Sequence, residues 1–173
     1  MSDTGWVSPT STGGTYNNWV NPTNAYSGVD TYALTGDEAG GYDDRFAVSL
    51  SKDGGSNWTS SKNINIVTDS PYDNSAGGSD DLWGTTWSSG DFDSENFRIY
   101  LNGNYYGGQD YGGFDFGIAS GSTINGVEVY FNGYYPDGNN NTRVYYIQIK
   151  VYYTDSSTPT VGVKYPLPAF KRS

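Results

Sequence analysis

Apolar and polar residues alternate with a period of two along several stretches of this chain, and no stretch carries a helical or heptad stripe. Over residues 44–51, Phe46, Val48 and Leu50 fall on one face, the pattern of a half-buried strand. Residues 52–56 read as a turn, and alternation resumes over 58–67 through Ile64 and Ile66, so the unit is predicted to be a β-hairpin. Residues 97–101 and 114–118 alternate again. Residues 123–135 place Val127, Val129 and Phe131 on one face and Glu128, Tyr130 and Asn132 on the other. The longest strand is predicted over 142–153, with Val144, Tyr146 and Gln148 on one face and Tyr145, Ile147, Ile149 and Val151 mostly on the other. Pro136, Asp137 and Gly138 open a turn cluster, across which 127–135 and 143–153 are expected to pair antiparallel.

The intervening segments complete the plan. Residues 68–94 read as a long connection with one short strand near Leu82 to Trp87, and residues 102–113 as a Gly/Tyr/Asn loop. Residues 1–30 are polar but carry Trp6, Trp19 and Tyr26, which predicts an ordered arm packed on the sandwich. Residues 158–173 form a basic arm in which Pro166 and Pro168 exclude helix and central strand. The expected fold is all-β: an antiparallel two-sheet β-sandwich, jelly-roll-like, over residues 31–157.

Composition strengthens that reading. The chain has 173 residues, one domain by size. It holds 17 Tyr, 5 Trp and 24 Gly with a single Met, a balance of strand and turn formers. Net charge is −10. Nucleic acid and anionic membranes are therefore not expected partners, since both need clustered Lys and Arg. His and Cys are absent, which excludes Ser-His-Asp and Cys-His nucleophile systems, ordinary zinc sites and a disulfide scaffold. The first residues lack the basic and apolar regions of a signal peptide, although the Gly, Asn, Thr and Tyr content suits an extracellular setting. A mature exported form, an excised piece of a larger protein, and a protein released by lysis all fit, with the last favoured.

Four groups of residues carry candidate chemistry. Ser51, Asp53, Gly55 and Trp58 match the Asp-box, Ser-x-Asp-x-Gly-x-x-Trp, of sialidase-like propellers and other β proteins. Its carboxylate accepts hydrogen bonds from the turn's own N–H groups, so the expected role is structural and no sialidase activity is carried over. Asp80, Asp81, Asp91 and Asp93, with Glu95 nearby, are candidate Ca²⁺ ligands, and Asp43 and Asp44 a second set; the alternative is ordinary solvated turn residues. No spacing marks a glycosidase carboxylate pair. Tyrosines at 105, 106, 111, 130, 134, 135, 145 and 146 suit either sugar stacking or cross-strand packing; adjacent pairs should point to opposite faces, one ring of Tyr145 and Tyr146 inside. Asn57 and Asn140 head glycosylation sequons, discounted without an export signal.

The phrases at 18–22, 48–55, 114–129 and 151–154 together resemble small β-sandwich modules of phage and environmental virion proteins, tail-associated or head-decorating. The resemblance implies a structural role and carries over no catalytic residue. With no export signal, no catalytic set and arms at both ends, the chain is expected to be a non-enzymatic structural protein of the virion, without a cofactor, that forms a homo-oligomer and docks on a capsid or tail protein. Trp6, Trp19, Tyr165, Pro166, Pro168 and Phe170 are the interface residues expected in its arms. The alternatives are a carbohydrate- or receptor-binding module for a surface glycan, and a filament subunit assembled by strand exchange. The first of these requires an exposed Tyr/Trp platform beside an acidic loop.

Overall fold

Alternation of this kind becomes two antiparallel sheets. The computed structural model describes residues 1–13, 21–26, 33–34, 45–66, 72–103, 107–134 and 142–156. The strands are β1 (Ser2–Asp3), β2 (Ser11–Gly13), β3 (Ala33–Leu34), β4 (Arg45–Ser51), β5 (Lys62–Asn65), β6 (Tyr72–Gly77), β7 (Arg98–Gly103), β8 (Gly107–Gly112), β9 (Thr123–Tyr134) and β10 (Arg143–Thr154). The first sheet runs β1-β10-β9-β6, with β3 also on β10; the second runs β2-β8-β7-β4-β5. The chain changes sheet after each of β1, β2 and β3, and again between β5 and β6, between β6 and β7, and between β8 and β9. The fold is an all-β, two-sheet antiparallel sandwich.

The inner faces are the predicted ones. Phe46, Val48 and Leu50 of β4 are buried, as are Val127, Val129 and Phe131 of β9. The sheets meet directly where the Phe46 and Phe131 rings lie 5.3 Å apart. Strands β9 and β10 pair through Val127↔Val151, Val129↔Ile149 and Phe131↔Ile147.

Five local expectations are corrected. Alternation puts Val144 on the face opposite Ile147, yet Val144, Ile147, Ile149 and Val151 are all buried. The register shifts between Val144 and Tyr146, so Tyr145 is an extra residue and the side-chain phase resets. Consequently neither Tyr145 nor Tyr146 enters the core; both are half-buried. Residues 82–87 form turns, not a strand, because Trp83 (φ 58°) and Gly84 (φ 71°) adopt left-handed backbone. Residues 107–112 are a strand, not a loop, paired to β7 through Tyr100↔Asp110 and Asn102↔Gly108. Glycine is needed there: a β-carbon on Gly108 would lie 2.0 Å from the Tyr100 hydroxyl. Residues 114–118 belong to no strand. Their alternation reflects Phe114 and Phe116, whose buried rings close one end of the core against Phe97.

The N-terminal segment joins both sheets. Ser2 and Asp3 pair with Tyr153 and Tyr152, and Val7 bridges Ile149 on the same edge of β10. Ser11 to Gly13 then pair with β8 in the second sheet. Over these residues the arm completes the edges of its own sandwich. Ala25, in the 3₁₀ turn Pro22–Tyr26, is buried, and Tyr26 meets Tyr111 edge-on at 6.2 Å.

Candidate functional site

Strands β9 and β10 bury one face, so their alternate residues form the outer face of the first sheet. Glu128, Tyr130 and Tyr134 on β9, and Tyr146, Gln148, Lys150 and Tyr152 on β10, are half-buried there. The bulge adds Tyr145, whose ring stacks on Tyr134 at 6.1 Å and 7°. Tyr130 and Tyr146 stack at 5.6 Å and 24°, their hydroxyls 3.5 Å apart. Arg143 donates to the Tyr134 hydroxyl at 2.8 Å.

The arm supplies one more ring. Pairing of Thr4 and Val7 with β10 carries Trp6 onto this face, 5.1 Å from the Tyr130 ring. Lys150 Nζ lies 4.2 Å from the Trp6 centroid, a cation–π distance. Gln148 donates to Ser8 Oγ at 3.3 Å, fixing the arm beside that contact. Trp6 is 38% exposed.

Polar groups rim the rings. Tyr152 donates to Glu128 Oε2 at 2.7 Å. Asn132 Nδ2 donates to Asp73 Oδ1 on the neighbouring strand β6. Burial, then the bonded Glu128 carboxylate, pushes the Tyr152 phenol up to about 12. Burial and the neighbouring Asp73 and Tyr146 raise Tyr130 further still. Burial, then Tyr134, raises Tyr145. These three phenols therefore stay neutral through the physiological range and act as O–H donors. The surface is a row of aromatic rings edged by carboxylates, amides, phenols and one ammonium.

The Asp-box residues converge on a closed turn. Asp53 Oδ1 accepts from Ser51 Oγ and Asn57 N, each at 2.8 Å, and Oδ2 accepts from Asn57 Nδ2 at 2.6 Å. Gly54 and Gly55 take φ of 71° and 94°. A β-carbon on Gly55 would lie 3.3 Å from the Trp58 ring, which covers the turn. The Asn57 hydrogen bonds, then the Ser51 one, lower the Asp53 carboxyl from 3.8 to about 2. A carboxyl depressed by folding contributes stability above its unfolded value, and that contribution disappears as pH falls through the folded value. Melting temperature is thus expected to drop between about pH 4 and about pH 2. Asp53→Asn should lower the melting temperature near neutrality and flatten this acid limb. Thermal melts of both proteins across that range check it, and an unchanged limb in the variant would place the acid sensitivity elsewhere.

Beside this turn, a groove of about 450 Å³ opens between Trp58, Thr59 and Ser60 on one side and Gly84, Thr85 and Trp87 on the other. The acidic residues proposed for calcium do not assemble. Asp81 pairs with Lys62 at 2.9 Å and accepts from Trp83 N. Asp91 accepts from Ser88 N at the start of a short 3₁₀ turn. Asp80 is exposed, and Asp93 lies with Glu95 on a separate depression. Among the described residues, no three carboxylates converge as a metal would require. Asp43, Asp44, Trp19, Tyr105, Tyr106, Tyr135, Asn140, Tyr165, Pro166, Pro168 and Phe170 lie outside the described residues. Tyr111 is a core residue.

Sequence reasoning singled out Trp6, Tyr130, Tyr134, Tyr145 and Tyr146, but not as one surface. It passed over Lys150, Gln148 and Tyr152; their signal was the outward phase of β10, obscured by the bulge. No family model matches the chain, and no curated protein or solved structure matches it either.

Proposed function

We propose that the chain is a non-catalytic recognition module whose working surface is the outer face of the first sheet, and that its ligand is a glycan, free or on a receptor. One observation carries this reading: the arm delivers Trp6 onto Tyr130 and Lys150, extending the tyrosine row into an aromatic platform. A pyranose offers a C–H face to such rings and hydroxyls to the groups around them. Here those groups are Glu128, Tyr152, Gln148 and Asp73. Aromatic walls with a few placed polar groups are the usual make-up of small-molecule sites. The lack of His and Cys in all 173 residues supports a binding role over nucleophilic catalysis.

The resemblance to virion modules supports a virion setting for this module. Self-assembly and docking on a capsid or tail component rest on that resemblance and on residues 158–173, outside the described residues.

A glycan array followed by calorimetric titration tests the reading. Trp6→Ala and Tyr146→Ala should each weaken the best glycan about tenfold or more, near 1.4 kcal/mol, with folding intact. Incubation with the bound glycan should release no reducing ends. Binding that neither substitution weakens would remove the outer face from consideration.

A further inference from the structure

We propose a second, smaller ligand site in the groove between the Asp-box turn and the 82–87 loop, selective for a neutral sugar of one or two rings. It extends the glycan reading to a surface that shares no residue with the outer face, so either site can fail alone.

The groove has the make-up such a ligand needs. Its volume, about 450 Å³, lies within the range of small-molecule sites. Trp58 is 37% exposed and lines one wall; Trp87 lines the other, and buried Leu50 and Trp83 lie between them. Indole surfaces suit the C–H face of a pyranose. Around them stand Thr59, Ser60 and Thr85, whose hydroxyls match sugar hydroxyls.

Charge selects for a neutral ligand. Lys52 Nζ is bound to the Thr86 carbonyl at 2.8 Å, a bond that also ties the two walls together. Both oxygens of the Asp53 carboxylate accept bonds within the turn. The two formal charges of the groove are thus committed to its architecture, leaving hydroxyls and indole surface for the ligand.

The wall is also held in an uncommon conformation. Trp83 has a φ of 58°, rare for so bulky a side chain. Its Nε1–H donates to the Val127 carbonyl at 2.9 Å, and Lys62 Nζ sits 5.4 Å from its ring. Backbone held in sparsely populated regions concentrates at ligand sites. Gly84, which follows and also lines the groove, faces open space: a β-carbon there would meet nothing within 4 Å.

The test uses the full chain and a panel of neutral monosaccharides and β-linked disaccharides of glucose, galactose, mannose and N-acetylglucosamine. Saturation-transfer NMR and tryptophan fluorescence read binding. At least one sugar should saturate at millimolar concentration. Trp58→Ala should weaken it about tenfold or more. Ser60→Tyr, an exposed substitution that fills the mouth without touching the turn's hydrogen bonds, should do the same. Trp6→Ala should leave it unchanged. No saturable sugar, binding that survives Ser60→Tyr, or binding abolished by Trp6→Ala would each overturn the groove site; the last would assign the sugar to the outer face.

Discussion

Phe97→Ala should destabilise the protein by about 3–5 kcal/mol, the range for truncating a buried aromatic. Phe97 is fully buried beneath the connections that cap one end of the sandwich. Four rings surround it: Phe92 at 5.1 Å, Phe116 at 5.2 Å, Phe114 at 5.5 Å and Trp87 at 5.9 Å. Phe114 and Phe116 sit on unpaired backbone, so ring packing holds that segment where sheet hydrogen bonds do not. Removing the central ring both loses transfer energy and leaves a cavity that the surrounding rings can only partly fill. Phe97→Leu, which retains much of the volume, should lose clearly less. Urea denaturation with matched m-values measures the difference. A loss under about 1 kcal/mol for the alanine variant would mean that this end of the core is loosely packed.

Removing residues 1–10 should have a comparable effect on stability and a larger one on behaviour. Beyond the β1 ladder to Tyr152 and Tyr153, the arm bonds the body through Thr4 N to Val151 O at 3.1 Å, Val7 and Ile149 exchanging two bonds at 2.8 Å, and Thr10 N to Gly112 O at 3.0 Å. Each contributes a net of about 1 kcal/mol. Thr10 Oγ1 to Gly113 O and Val151 N to Thr4 Oγ1 are lost as well. The more consequential change is an uncovered edge on β10, a twelve-residue strand. Long bare edges recruit other strands. The truncated protein should therefore associate with rising concentration, and it should lose the outer-face ligand because Trp6 is gone. Sedimentation velocity across a concentration series, alongside the glycan titration, reads both. A truncated protein that stays monomeric and binds as before would show that the arm is dispensable to the edge and to the platform.

The parts of this fold that sequence revealed are those where side-chain phase and backbone pairing agree. In β4, in β9 from Val127 to Phe131 and in most of β10, every second residue is apolar and buried, so alternation reports the strand directly. Strand β6 was hidden because Asp73, Asn74, Ser75 and Gly77 carry almost no apolar signal on a sheet edge. Strand β8 was hidden because it is rich in glycine, which ordinarily marks turns; Gly108 leaves room for Tyr100 and Gly112 lies against Arg98. The bulge at Tyr145 was hidden because one inserted residue changes no composition, only the phase. Residues 114–118 gave the opposite error: alternation tells where side chains go, not whether the backbone is paired. The candidate site divides the same way. The Asp-box turn is local, and its eight residues specify it. The outer platform depends on Trp6 meeting Tyr130 and Lys150, a contact between distant parts of the chain with no local signature.

The arm also sets an order of events for a newly made chain. Thr4 bonds to Val151, 147 positions later. Made before β10, Thr4 therefore lacks this partner until nearly all of the described residues have followed. Contacts so distant in sequence form slowly, because loop closure precedes any reward. Trp6 reaches Tyr130 only after β10 has formed, so the aromatic platform is completed after the sheet beneath it. An incompletely folded chain would carry its tyrosines without that final ring, and gaining the ligand would report that the two ends of the fold have met.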